Sequence, residues 1–109
     1  MKIYKNKLFH QWSKEEALSD TALINAVKEI ENGIYDASLG GFIYKKRIAI
    51  QGKGKSGSLR TILAYKMKNK AIFIYGYAKN RKDNISLKEE QALKSLQKFI
   101  LVTKLRKLI

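Results

Sequence analysis

The sequence predicts an α+β fold in which helices pack on a single antiparallel sheet. Apolar residues recur at helical spacing before residue 33 and after residue 86, whereas between residues 42 and 78 they alternate as they do in strands. The chain has 109 residues, of which 45% are hydrophobic and none is proline. A chain of this length can bury one modest core, so we expect residues 1–109 to form a single domain.

The N-terminal third is predicted to hold a short strand followed by two helices. The segment KIYK (2–5) is typical of a strand. Ser13 with Glu16 forms a capping-box pattern for the first helix, although LFHQW (8–12) before it also has helical character. From Asp20 the apolar residues fall three and four positions apart, and Gly33 supplies a stop signal for the second helix.

Three strands and a closing helix are predicted for the rest of the chain. The alternating segments are FIYKKRIAI (42–50), LRTILAYKM (59–67) and AIFIYGYA (71–78), and MKNK between the last two is short enough for a hairpin. Ser86 with Glu89 forms a second capping box. The helix that follows carries an apolar stripe of Leu93, Leu96 and Ile100.

The positive charge is concentrated in the predicted sheet. The net charge is +14, and residues 37 to 82 hold twelve lysines and arginines and no acidic residue. The same stretch is rich in aliphatic and aromatic residues, so it predicts a folded basic surface and not a solvated tail. Such a surface attracts phosphates, anionic membranes or acidic proteins, and we favour nucleic acid or an acidic partner over a merely solvated face.

Composition disfavours several other kinds of site. There is no cysteine, and His10 is the only histidine, so neither a disulfide framework nor a histidine-based metal cluster can form. The segment QGKGKSGSLRT (51–61) suggests a nucleotide-binding loop, but Ala49 stands where a P-loop needs its first glycine, and a strand pattern follows where a helix should begin. We therefore expect no metal and no cofactor. No apolar run reaches the length of a membrane span, and a cytoplasmic protein is expected.

Strand alternation places basic residues together on one face of the predicted sheet. Lys45 and Arg47 point to one side of their strand, and Arg60 shares a side of the next strand with Ile62 and Ala64. If helices cover the opposite face, these cations stay accessible to a sugar-phosphate backbone. Lys53 and Lys55 would project from the glycine-rich connection, whose bare backbone allows close approach. The remaining candidates are Lys46, the cations that follow the third strand (Lys79, Arg81 and Lys82), and three strand tyrosines that could stack on bases (Tyr65, Tyr75 and Tyr77).

Two runs resemble a known family. DASLGGFIYKKRIAIQGKGKSGSLRTI (36–62) and IYGYAKNRKDNI (74–85) are similar to the RelE/ParE superfamily of bacterial toxins, and most of all to the HigB-like RelE family of type II toxin–antitoxin modules. The resemblance extends over nearly the whole chain, including SDTALINAVKEIENG (19–33) and EEQALKSL (89–96). It implies a helical hairpin on a twisted antiparallel sheet and mRNA cleavage, usually on the ribosome. It also implies neutralisation by an antitoxin, for which we expect a helix-turn-helix DNA-binding protein.

The resemblance also implies site residues. Arg47, Arg60 and Lys79 match basic positions of the family, whereas Leu59 replaces a common aromatic residue before the arginine. Residues 79–84 are KNRKDN, where the family commonly has Lys-x-Glu-Arg-x-Asn. Lys82 therefore stands in the arginine position and Arg81 in the acidic one, and lysine offers a point charge where arginine offers a bidentate fork.

The expected chemistry is metal-independent cleavage of RNA by attack of a ribose 2′-OH on the adjacent phosphate. Lys53 or Lys55 would be the general base, because neighbouring cations lower a lysine pKa. Arg47, Arg60, Lys79 and Arg81 would hold the phosphate, and Lys45, Lys46, Lys82, Tyr65, Tyr75 and Tyr77 would bind the RNA around it. Two alternatives stay open at this point, namely a ParE-like inhibitor of DNA gyrase and a non-catalytic RNA-binding module.

Overall fold

The computed structural model describes residues 2–49, 59–67, 69–78, 84–95 and 105–107. Within these ranges three helices lie on a six-stranded mixed sheet, which confirms the α+β prediction. In chain order the elements are β1 (Lys2–Asn6), α1 (Lys7–Glu15), α2 (Asp20–Glu31), β2 (Ala37–Gly40), β3 (Ile43–Ile48), β4 (Leu59–Met67), β5 (Lys70–Ala78), α3 (Leu87–Ser95) and β6 (Leu105–Lys107).

The sheet is antiparallel from β2 to β5 but not throughout. Its strand order is β2-β3-β4-β5-β1-β6, and β1 pairs with β5 in parallel register, Ile3 opposite Ala71. β6 then pairs with β1 in antiparallel register. The expectation of a wholly antiparallel sheet was therefore wrong at β1, and β2 and β6 were not predicted. Both are edge strands of four and three residues, too short to show a clear alternation in the sequence.

The first helix begins earlier than the predicted capping box. Asn6 is its N-cap, and the Asn6 side-chain oxygen accepts a hydrogen bond from the Phe9 N–H at 2.8 Å. Ser13 is buried inside the helix, where its hydroxyl donates to the His10 carbonyl at 2.9 Å. The capping box at Ser13 was therefore wrong, and the helical character of LFHQW is confirmed.

The second helix follows its sequence signals. Ser19 is the N-cap and accepts from the Ala22 N–H, and Asp20 adds a negative charge to the first turn, where it complements the helix dipole. The helix ends at Glu31, and Gly33 follows with a φ of 83°. Glycine has no Cβ and therefore adopts a positive φ with little strain, which is why a glycine often follows the last residue of a helix.

The sheet has two covered faces. On the first, which we call the hairpin face, α1 and α2 bury Phe9, Leu23 and Val27 against Leu63 and Phe73. On the second, which we call the α3 face, Leu93 of α3 joins a smaller cluster made of Ile43, Ile62, Ala64, Ile72 and Ile74. None of the helices in the described ranges has both the length and the apolar character needed to cross a membrane.

Candidate nucleic-acid interface

The strand register brings five of the predicted residues onto the α3 face. Arg47 of β3 lies opposite Arg60 of β4, and Arg60 lies opposite Tyr77 of β5. Two residues further along β4, Ile62 lies opposite Lys45 of β3 on one side and Tyr75 of β5 on the other. Directly paired residues in an antiparallel sheet share a face, so these side chains form one surface across three strands.

Arg60 is a partly buried cation of this surface. Its guanidinium Nη1 is buried and has no hydrogen-bond partner among the described residues. Burying a charged donor without an acceptor is costly, and native structures normally satisfy such groups. Arg47, directly opposite, is exposed, and the described residues give it no ion-pair partner. Two adjacent guanidinium groups with unused donors suit a phosphate, whose oxygens can accept from both.

The segment before α3 holds the neighbouring donors in place. The Asn84 side-chain oxygen accepts from Lys45 Nζ at 2.8 Å and from the Tyr77 hydroxyl at 3.4 Å. Glu89 accepts from the Tyr75 hydroxyl at 3.2 Å through one carboxylate oxygen and from the Ser86 N–H through the other. The Ser86 hydroxyl in turn accepts from the Glu89 N–H, which confirms the predicted capping box. Sequence reasoning assigned Asn84 no role, and its only signal was its place at the end of the Lys79–Asn84 run.

Two predicted residues lie on the hairpin face. Lys46 is 5% exposed, and its amine lies 3.2 Å from a Glu29 carboxylate oxygen in α2. Tyr65 is buried in the apolar cluster beneath the helices, and its hydroxyl has no partner among the described residues. Burial raises the pKa of the Tyr65 hydroxyl, and the charges of Glu31 and Tyr44 raise it further, so this phenol stays neutral. Neither side chain reaches the surface that holds Arg47 and Arg60.

The other predicted residues lie outside the described part of the chain: Lys53, Lys55, Lys79, Arg81 and Lys82. The positions of the flanking strands are nevertheless informative. Ile48 at the end of β3 pairs with Leu59 at the start of β4, and Leu59 pairs with Ala78 at the end of β5. The chain thus leaves β3 and β5, and enters β4, at the end of the sheet where Arg47 faces Arg60. Both the glycine-rich segment and the basic run after β5 are attached beside the arginine pair.

The electrostatics of the strands agree with anion binding. None of the described strands contains an acidic residue, although several are rich in lysine and arginine. On the hairpin face two carboxylates of helix α2 pair with strand lysines, Asp20 with Lys5 and Glu29 with Lys46. On the α3 face the described carboxylates are those of α3 itself, Glu89 on Tyr75 and Glu90 on Lys94 at 3.4 Å. The described residues therefore leave the arginine pair without a carboxylate partner, as expected of a site for an external anion.

A protein-family model described as "RelE toxin of RelE / RelB toxin-antitoxin system" matches residues 1–109 of the chain. No curated protein matches the sequence.

Proposed function

Since the chain belongs to the RelE toxin family of toxin–antitoxin systems, we propose that this toxin inhibits translation as an endoribonuclease that cleaves mRNA on the ribosome. The observation that carries the proposal is the arginine pair on the α3 face. Arg47 and Arg60 lie directly opposite each other, and Nη1 of Arg60 is buried without a partner among the described residues. A phosphate of a bound RNA strand would supply the missing acceptor.

The proposed reaction needs no group beyond the RNA and the protein. The ribose 2′-oxygen attacks the adjacent phosphorus, and the bond from phosphorus to the 5′-oxygen of the next nucleotide breaks. The products are a 2′,3′-cyclic phosphate and a 5′-hydroxyl, so a proton leaves the 2′-OH and a proton reaches the departing 5′-oxygen. Arg47 and Arg60 would stabilise the extra negative charge that the phosphorus oxygens carry in the transition state.

The remaining roles are assigned to the basic segments attached beside the arginine pair. We propose Lys53 or Lys55 as the general base, because nearby cations favour a neutral amine. Lys79 and Arg81 would also hold the phosphate. Lys45 and Lys82 would contact neighbouring phosphates, and Tyr75 and Tyr77 would contact a base or ribose at the edge of the site. Lys46 and Tyr65 are left out of the proposed site, because both are buried on the hairpin face.

The ribosome is included in the proposal because the candidate site lacks a histidine and needs its RNA substrate to be oriented. The single histidine, His10, lies in α1, away from the arginine pair, so the usual imidazole acid and base are missing from the site. Holding the 2′-oxygen in line with the bond to be broken can supply much of the rate, and effective molarities of about 10⁵ M or more are known for well-oriented groups. A ribosome that fixes the mRNA strand would provide this orientation.

The test is to map the 5′ ends of cellular mRNA after brief expression of the toxin. We expect new 5′ ends in phase with codons for the wild-type chain, and a decrease of about a hundredfold in their yield for Arg60→Gln, the size of effect seen when one donor to transition-state charge is removed. Lys28→Gln is the matched control, because Lys28 is an exposed cation on α2, and it should cleave like the wild type.

Two outcomes would contradict the proposal. Growth arrest with intact mRNA and a DNA-damage response would indicate gyrase as the target. Cleavage by Arg60→Gln at the wild-type level, with equal amounts of folded protein, would remove Arg60 from the site.

A further inference from the structure

A groove lies beside the arginine pair, where β3 extends beyond its neighbour β2. It lies between α2, the segment after α2 and the end of β3, and its volume of about 490 Å³ is within the range of ligand-binding cavities. Arg47 lines the groove and also lies opposite Arg60 in the sheet. A molecule held by the arginine pair can therefore extend into the groove.

The end of β3 offers the groove a free peptide group. β2 pairs with residues 43–45 of β3, and the Asp36 N–H donates to the Lys45 carbonyl at 2.9 Å. The Lys46 carbonyl accepts from the Thr61 hydroxyl of β4 at 2.8 Å. Because peptide groups alternate in direction along a strand, the N–H and C=O of Arg47 point away from β4, to a side where the described strands provide no neighbour. One donor and one acceptor are thus available there to a ligand.

Tyr35 gives the groove an aromatic wall. It is 41% exposed and makes an edge-to-face contact with Tyr44, with the ring centroids 4.9 Å apart. Tyr44 makes the same kind of contact with the buried Tyr65, so this row of three rings anchors Tyr35 to the core. The small side chains of Ala22 and Ala26 also line the groove, which leaves room for a flat group. An anchored, exposed tyrosine ring is a platform on which a nucleobase can stack.

The carboxylates of the groove disfavour a phosphate or an acidic peptide as its occupant. Glu29 and Asp36 line the groove, and Glu29 is paired with Lys46 at 3.2 Å. The described residues give Asp36 no ion-pair partner, so its carboxylate oxygens can accept hydrogen bonds from a ligand. The phosphates of an RNA strand would stay on the arginine pair, and an uncharged base would enter the groove.

We propose that this groove is a nucleobase subsite, which holds the base of a nucleotide next to the cleaved phosphate and selects guanine through Asp36. The base-pairing edge of guanine presents two adjacent N–H donors, and one carboxylate can accept from both. Adenine and cytosine present an amine donor beside a ring-nitrogen acceptor, and uracil presents one donor between two carbonyl acceptors. Each of these three bases would therefore place an acceptor against the Asp36 carboxylate, which is unfavourable.

The subsite rests on the proposed function for its position next to the cleaved phosphate. Base binding itself needs no cleavage, so it can be measured separately. The probes are the four ribonucleoside 3′-monophosphates, whose phosphate can reach the arginine pair while the base enters the groove.

The experiment titrates the full chain with each nucleotide and follows its amide NMR signals. We expect guanosine 3′-monophosphate to shift the signals of Tyr35 and Arg47 and to bind at least tenfold more tightly than the adenosine nucleotide, because a bidentate pair discriminates between bases to about this extent. Asp36→Asn keeps the shape of the side chain but removes the charge and one acceptor, so it should bind the two nucleotides equally. Glu15→Gln is the matched control, because Glu15 is an exposed carboxylate on α1 that does not line the groove, and it should keep the wild-type preference.

A second variant, Tyr35→Leu, separates stacking from base selection and serves if Asp36→Asn folds poorly. It should weaken the binding of all four nucleotides at least threefold and leave the preference for guanine unchanged. Equal affinity of the wild type for the guanosine and adenosine nucleotides would overturn the subsite, and so would a response of the Tyr35 and Arg47 signals to a protein partner but to no nucleotide.

The subsite and the proposed function fail in different ways. If the wild type prefers guanine in the titration but cuts no mRNA, the subsite stands and the proposed function fails. If the wild type cuts mRNA in phase with codons but shows no preference for guanine in the titration, the function stands and the subsite is overturned.

Discussion

On the hairpin face each buried lysine has a carboxylate within ion-pair distance, Lys5 with Asp20 at 2.6 Å and Lys46 with Glu29 at 3.2 Å. On the α3 face Arg47 and Arg60 lie opposite each other, and among the described residues neither has an ion pair. The two faces are built from the same strands, so neighbouring residues in the sequence have opposite surroundings. The buried lysines of the hairpin face attach helix α2 to the sheet, whereas no described carboxylate pairs with the arginines of the α3 face, which supports the proposal that they bind an external anion.

The packing of the two faces differs in the same way. The hairpin face is closed by aromatic residues in direct contact, with ring centroids of Phe9 and Phe73 5.1 Å apart and those of Phe9 and Trp12 5.3 Å apart. The α3 face is covered by a helix in which Leu93 is buried but Leu87 is 70% exposed. A close-packed face tolerates little change in volume. We therefore expect substitutions on the hairpin face to act on stability and those on the α3 face to act on function.

The largest effect is expected from Gly76→Ala. Gly76 of β5 lies opposite Thr61, and a Cβ at this position would overlap the Trp12 ring, with Cη2 2.5 Å away. The ring is packed against Phe9, so α1 would have to shift away from the sheet. We expect a loss of about 3 kcal/mol in the free energy of unfolding, measured in urea, which is the upper part of the usual range for overpacking.

Gly33→Ala is the control for this substitution. Gly33 has a φ of 83°, but no atom lies within 4 Å of a Cβ there. Its cost should be backbone strain alone, about 1 kcal/mol. If Gly76→Ala and Gly33→Ala lower the free energy of unfolding equally, the contact between β5 and Trp12 does not hold α1 in place.

The comparison between the faces is sharpest at two adjacent lysines. Lys45 donates to Asn84 on the α3 face, and Lys46 is paired with Glu29 on the hairpin face. If Lys45 contacts a phosphate, Lys45→Met should lower the slope of log K against log salt by roughly 0.7 for single-stranded RNA. Lys46→Met should leave the slope unchanged and alter the free energy of unfolding by less than about 1.5 kcal/mol, because an apolar side chain of similar volume replaces a buried charge.

The measurement is a salt titration of RNA binding by both variants and the wild type. Equal slopes for Lys45→Met and the wild type would mean that the Lys45 amine stays with Asn84 when RNA binds. A reduced slope for Lys46→Met would contradict the division between the faces, because it would place a buried, paired amine on RNA.

Local signals account for most of the fold that could be predicted. Alternation identified β3, β4 and β5, the apolar spacing and Gly33 identified α2, and the Ser86 capping box identified the start of α3, because each signal depends on residues a few positions apart. The parallel pairing of β1 with β5 joins Ile3 to Ala71, and no local pattern specifies a contact over that distance. The Ser13 capping box failed because the same spacing also fits the interior of a helix that Asn6 had already capped.

Local signals also predicted part of the candidate site around Arg47 and Arg60, but not the contacts that join distant parts of the chain. Alternation placed Lys45, Arg47 and Arg60 on a common face, and the strand register agrees. The role of Asn84 could not be found, because its contact with Lys45 spans 39 positions and depends on how α3 approaches the sheet. Tyr65 was included as an aromatic residue, although alternation already separates it from Arg60 by placing the two on opposite faces.

The smallest effect is expected from Tyr65→Phe, which tests that separation. The Tyr65 hydroxyl is buried without a partner among the described residues, so its removal should leave stability at pH 7 unchanged or raise it by up to about 1 kcal/mol.

Burial raises the pKa of the Tyr65 hydroxyl in the folded protein, so the unfolded chain loses the proton first as the pH rises. The folded state then binds more protons than the unfolded state, and stability must fall above about pH 10, the ordinary pKa of tyrosine. Urea unfolding from pH 8 to 11 should therefore show a steeper decline for the wild type than for Tyr65→Phe, with mRNA cleavage unchanged at pH 7. Parallel declines would mean that the hydroxyl reaches solvent, and a loss of cleavage would return Tyr65 to the site.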